Sequence, residues 1–260
     1  MTPISLLFYP LSMKKAVIIS GAGSGIGKAA ALEFSKQGYF VYLLGRNKEK
    51  LEEVAMECRA GARRYSCDLE NPGQIHKTCL DILSQQDTDL QILVNNAGVF
   101  ERQDVFAEDM TVWHRQFTTN LFGAVQLTQG VFPAFKKRGG GSIVNVSSTL
   151  GLKTSAQVSA YAASKAAMNS WTQSLALEGG PLKIRANAIC PGIVDTPIHS
   201  FNKLEAKSKD KVLNSMNGLQ PLGRIGTAEE IAKAIVFLGS EASSWTTGAI
   251  LSVDGGINLV

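Results

Sequence analysis

Short runs of β-branched and apolar residues alternate along the chain with longer stretches whose apolar positions recur every three to four residues. The short runs predict strands at Ala16–Ser20, Tyr39–Leu44, Arg64–Cys67, Ile92–Asn95, Ser142–Val146, Ile184–Ile189 and Ile250–Val253. The longer stretches predict helices over Gly27–Gln37, Lys48–Arg59, Pro72–Gln85, Thr111–Lys137, Ser159–Leu177 and Ala228–Leu238. Gly139, Gly140 and Gly141 give the longest helix its stop. Strands this apolar, each followed by a helix, predict an α/β fold: a doubly wound parallel sheet with helices on both faces. Its crossovers are expected to be right-handed. No linker or repeat interrupts residues 13–260, which predicts one domain. The polar stretch at about 195–220 is the one long irregular segment, and such loops usually serve function. Residues 1–12 read as an N-terminal extension ahead of the segment MKKAVIISG.

Composition narrows the class. In 260 residues, 45% are hydrophobic and 18% charged, which excludes a disordered or fibrous chain. The net charge of +4 comes from scattered basic residues, so no nucleic-acid partner is expected. No apolar run is long enough to span a bilayer, and the N-terminus lacks the basic and small-residue parts of a signal peptide. Cys58, Cys67, Cys79 and Cys190 match neither zinc pairs nor a disulfide framework, so free thiols in a cytoplasmic, reducing setting are expected. His76, His114 and His199 lack metal-ligand spacing, and no metal is expected.

The first predicted strand runs into Ser20-Gly21-Ala22-Gly23-Ser24-Gly25-Ile26-Gly27 and then a helix. A strand, a glycine-rich turn and a helix N-terminus together make a pyrophosphate cradle. A Walker loop is excluded, because it needs a glycine at Ala22 and a hydroxyl at Ala29. The second strand ends Leu44-Gly45-Arg46-Asn47, without the carboxylate that an NAD site places on its ribose. Arg46 is instead suited to a 2′-phosphate, which favours NADP(H) and leaves NAD(H) possible.

Further segments resemble one family. They are Asn95-Asn96-Ala97-Gly98, Asn120, Ser148, Tyr161-Ala162-Ala163-Ser164-Lys165, and Pro191-Gly192 with Thr196. With Gly21, Gly25 and Gly27 they resemble the short-chain dehydrogenase/reductase family, in its short single-domain branch, from about Met13 to Val260. Ser20 stands where the family often has threonine, and Ser24 where many NADP-using members have a basic residue. The resemblance implies a Rossmann fold and an enzyme moving a hydride between NADP(H) and a small-molecule carbonyl or secondary alcohol.

Tyr161 and Lys165 are four apart and share a helix face. A tyrosine ordinarily titrates near 10, and a neighbouring cation helps it act as acid and base. Ser148, thirteen residues before Tyr161, is expected to hold the reacting oxygen, and Asn120 resembles the asparagine that anchors a water relay to the lysine. Ser147 is the neighbouring candidate, but strand alternation points the two to opposite sides, and the family spacing selects Ser148.

The resemblance also implies cofactor contacts. Asp68 and Leu69 would meet adenine, Asn95 would steady the central strands and border the adenosine, and Ala97 and Gly98 would border the cofactor. Pro191, Gly192, Val194 and Thr196 would hold the carboxamide. The substrate pocket is expected from Val99, Phe100, Leu150 to Val158 and the later loop, including Phe201, Leu204, Met216 and Leu219. The last strand resembles the one that relatives use to pair subunits, which implies a homotetramer. The alternatives are an NAD-dependent alcohol or polyol dehydrogenase, and a catalytically silent nucleotide-binding regulator.

Overall fold

The structure is a computed structural model in which residues 13–107, 109–199 and 215–260 are described. Its strands are β1 (Lys14–Ser20), β2 (Phe40–Gly45), β3 (Ala62–Ser66), β4 (Thr88–Asn95), β5 (Gly141–Val146), β6 (Ile184–Pro191) and β7 (Ile250–Val253). They form one seven-stranded sheet in the order β3-β2-β1-β4-β5-β6-β7. Every pairing is parallel, as the apolar runs led us to expect.

Alternation along the strands divides the core in two. Val17 and Ile19 of β1 join Phe34, Leu43, Leu51 and Ile235 on one face. Ala16 and Ile18 join Tyr42, Ile75, Leu127 and Phe135 on the other. Each Val, Leu, Ile or Phe among them stabilises the fold by about 1.5–3 kcal/mol on full burial, which fixes strand register.

The helices are α1 (Gly25–Lys36), α2 (Lys48–Glu57), α3 (Pro72–Leu83), α4 (Met110–Phe117), α5 (Gly123–Arg138), α6 (Ser159–Gly179) and α7 (Ala228–Gly239). Local chemistry sets their ends. Asn47 and Asn71 cap α2 and α3 by accepting the N–H of Lys50 and Gln74. Thr227 and Glu230 form a reciprocal capping box on α7. Gly139 closes α5 at a φ of 79°.

The helix expected over Thr111–Lys137 needs correction. A five-residue π-helical segment, Thr118–Phe122, separates α4 from α5. The apolar pattern continues across it, so periodicity alone did not reveal the extra residue in the turn. Such segments are frequent at functional sites, and Asn120 is at its centre. The remaining boundaries differ by a few residues at most. Of the expected substrate loop, Phe201 and Leu204 lie outside the described residues, as do residues 1–12.

The chain leaves β1 toward β2 and β3, then returns to place β4 on the other side of β1. This reversal opens a crevice beyond the carboxyl ends of β1 and β4, where ligands bind in such sheets.

Candidate active site

A cleft of about 610 Å³ occupies that crevice. Its lining includes Gly21, Ser24, Gly25, Ile26, Arg46, Asp68, Leu69, Ala97, Gly98, Ser148, Tyr161, Lys165, Pro191, Gly192, Val194 and Thr196. Three other expected site residues, Gly27, Asn95 and Asn120, lie behind the lining.

Gly27 is where backbone meets backbone. A Cβ there would lie 2.2 Å from the Gly21 carbonyl oxygen. Gly21 itself has a φ of +66°, and a Cβ on it would press the Ala97 Cα at 2.9 Å. The loop is tied to β4 through Ser20, whose Oγ accepts the N–H groups of Asn96 and Ala97, each at 3.0 Å. Ser24 precedes α1 without a side-chain cap. The first N–H groups of a helix lack intrahelical acceptors, so those of Gly25 and Ile26 are left available to an anion in the cleft they line. This end of the cleft therefore fits the pyrophosphate of a dinucleotide.

Asn95 stands among the central strands that it was expected to steady. It is buried under the cleft, donating to Thr128 Oγ1 at 3.1 Å and Asn145 Oδ1 at 2.9 Å. Asn145 in turn donates to Thr172, so this polar chain ties β4 to β5 and α6. Asp68 does line the cleft, with Oδ1 accepting the Glu70 N–H in a tight turn. Thr196 touches the glycine loop: a Cβ on Gly25 would meet its side chain at 3.4 Å.

Asn120 supports the loop after β4. Its Oδ1 accepts the Val99 N–H at 2.7 Å, and its Nδ2 donates to Val99 O and Ser164 Oγ. Both hydrogens of its side-chain amide are thus committed to protein partners. A Cβ on Gly98 would meet Asn120 Oδ1 at 3.2 Å and Lys165 Nζ at 3.6 Å, which places both groups directly beneath that glycine.

At the floor, Ser148 hydrogen-bonds the Tyr161 hydroxyl. Ser147 points elsewhere, its Oγ donating to Lys165 O at 3.1 Å, as strand alternation requires. Burial pushes Tyr161 up to about 12, and the Ser148 hydrogen bond pulls the other way. Burial brings Lys165 down to about 8. The Lys165 Nζ donates to Val146 O at 2.8 Å and lies 5.7 Å from the centroid of the Tyr161 ring. The expected cation stands beside the phenol, while burial dominates both groups and Ser148 supplies the opposing pull on Tyr161. Phe100 packs edge-on to Tyr161, with centroids 4.8 Å apart, and seals that side.

Several lining residues escaped the sequence reading, among them Lys50, Arg102, Thr119 and Ile257. Lys50 is four residues after Arg46 and one helical turn from the strand tip, a spacing that was available as a signal. Thr119 and Ile257 carried none. Among the described residues, no three His, Cys, Asp or Glu side chains converge as a metal site. No described helix is long and apolar enough to cross a membrane.

Comparison with known proteins gives this geometry its context. A family profile described as Enoyl-(Acyl carrier protein) reductase matches residues 21–258. The 3-oxoacyl-(acyl-carrier-protein) reductase FabG of Thermotoga maritima is 35% identical, covering 94% of this chain and 97% of its own. The ligand-free aldohexose dehydrogenase of Thermoplasma acidophilum superposes with a TM-score of 0.86 at 32% identity, over 95% of each chain. ElxO, solved with NADP bound, superposes with a TM-score of 0.87 at 30% identity, over 95% of this chain and all of its own. The chain belongs to the short-chain dehydrogenase/reductase family of oxidoreductases.

Proposed function

We propose that the protein is an NADP(H)-dependent oxidoreductase that interconverts a carbonyl and a secondary alcohol, with Tyr161 as acid and base. The observation that carries this reading is the buried Tyr161 hydroxyl held by Ser148, with Lys165 alongside. NADP(H) is favoured because Arg46 lines the adenosine end of the cleft and the strand tip has no carboxylate. NADP in the related ElxO supports the same choice.

The cofactor, when bound, gives or takes the hydride. Gly21, Ser24, Gly25 and Ile26 would hold its pyrophosphate, and Val194 and Thr196 its carboxamide end. Ser148 Oγ orients the carbonyl oxygen beside the Tyr161 hydroxyl. With Tyr161 raised to about 12, the phenol is fully protonated at neutral pH and ready to donate during reduction. Lys165 at about 8 remains mostly cationic there and offsets the charge left on the phenolate. Asn120 acts at one remove, keeping Val99 and Gly98 in place.

The substrate is a small carbonyl compound with a partly apolar body, since Val99, Phe100, Leu150, Val158, Ile198, Met216 and Leu219 line that end. The relatives act on an acyl chain carried by a protein in one case and on a sugar in another, so the family does not single out one substrate. Residues 13–260 act as one unit in this reading. Four buried free cysteines suit a cytoplasmic enzyme. A homotetramer is supported by the edge position of β7 and by exposed Trp245 and Leu251 there, and Met110 and Phe122 on α4 and the π-helical segment.

A panel of ketones, 3-oxoacyl thioesters and aldoses, followed by loss of NADPH absorbance, tests this reading. Consumption of NADPH with at least one carbonyl class supports it. NADPH binding without turnover of any class favours the silent regulator, and turnover with NADH alone favours the alcohol or polyol dehydrogenase.

A further inference from the structure

We infer that Lys50, on the first turn of α2, binds the cofactor's 2′-phosphate together with Arg46. This rests on the NADP(H) reading above and deepens it. Lys50 lines the same end of the cleft as Ser24, Arg46 and Asn47. Its position is held from two sides. The Asn47 side chain accepts the Lys50 N–H at 2.8 Å. A Cβ on Gly23 would lie 3.3 Å from Lys50 Cβ, so α2 is pressed against the phosphate loop at this residue.

Charge pairing leaves the residue available to a ligand. Lys28 is paired with Glu57 at 2.8 Å, and Arg64 with Glu52. Among the described residues, neither Arg46 nor Lys50 forms an ion pair, although Glu53 stands only three positions beyond Lys50. Asp68, the carboxylate lining this end, already accepts the Glu70 N–H. The Asn47 carboxamide oxygen is spent on the helix cap. Two unpaired cations at one end of a cleft repel each other until an anion joins them. A 2′-phosphate satisfies both, Arg46 through a planar fork and Lys50 as a point charge. A ribose carrying only hydroxyls brings no charge to satisfy them.

Fluorescence titration of wild type, Lys50→Met and Lys50→Arg with NADPH and with NADH tests the assignment. Lys50→Met should weaken NADPH binding about tenfold, in line with the loss of one charge-assisted contact. NADH binding should stay within about twofold, and Lys50→Arg should restore NADPH affinity. Thermal melting of Lys50→Met at the wild-type temperature confirms that α2 is intact. An unchanged NADPH affinity overturns the inference. Equal weakening of both cofactors overturns it too, assigning Lys50 to the pyrophosphate. A wild-type protein with no preference for NADPH over NADH overturns the cofactor reading itself, and the inference with it.

Discussion

Ser148 hydrogen-bonds the Tyr161 hydroxyl, and the same Oγ accepts the Leu150 N–H at 3.1 Å. The turn after β5 therefore fixes the serine before it reaches the phenol. Among the influences on Tyr161, this bond is the one that opposes burial. Ser148→Ala should lower kcat roughly 10²-fold, with NADPH affinity unchanged. Steady-state kinetics beside a binding titration separate the two, and a loss of less than about threefold would contradict the assigned contact.

The buried Lys165 has a consequence for stability. Its folded value of about 8 is below its ordinary 10.5. Between those limits the unfolded chain holds a proton that the folded chain has released, so stability rises with pH across the window. Below pH 8 the burial penalty is present in full. Tyr161 has the opposite sign: raised from 10.0 to about 12, it costs stability as pH climbs above 10. In melting curves from pH 7 to 10, the wild type should gain on Lys165→Met between pH 8 and 10. Parallel curves would show that the lysine is not held against its ordinary titration.

The sheet was legible because parallel strands covered on both faces read as unbroken apolar runs, as Val17 to Ile19 and Leu93 to Val94 do. The glycine loop was legible because each glycine answers a steric demand, plainest at Gly27 against the Gly21 carbonyl. Asn120 and Asn95 were found as positions, and Asn95 was expected to steady the central strands, but their individual partners were not legible. The π-helical segment leaves no trace in a hydrophobic pattern, and a buried amide's partners depend on elements distant in sequence, as Asn95 meeting Thr128 and Asn145 shows. Lys50 was missed because a charged helix start ordinarily reads as a solvated face. Only the packing of α2 against Gly23 turns it toward the cleft.

Arg46 is exposed at the tip of β2 and, among the described residues, has no ion-pair partner. Arg46→Asp removes a cation from the 2′-phosphate and places a carboxylate near the ribose. The ratio of kcat/KM for NADPH over NADH should fall by tenfold or more, since one charge-assisted contact contributes about 1.5–3 kcal/mol. A ratio that stays where it was would remove Arg46 from cofactor discrimination.

The central claim is that Tyr161 moves the proton while the cofactor moves the hydride. Tyr161→Phe keeps the ring that packs against Phe100 and removes only the hydroxyl. The most direct measurement is single-turnover oxidation of bound NADPH by the best carbonyl substrate, in wild type and in this variant, beside their NADPH affinities. The account predicts equal affinities and a rate lower by roughly 10²–10⁴-fold or more. A variant that turns over at close to the wild-type rate would contradict it.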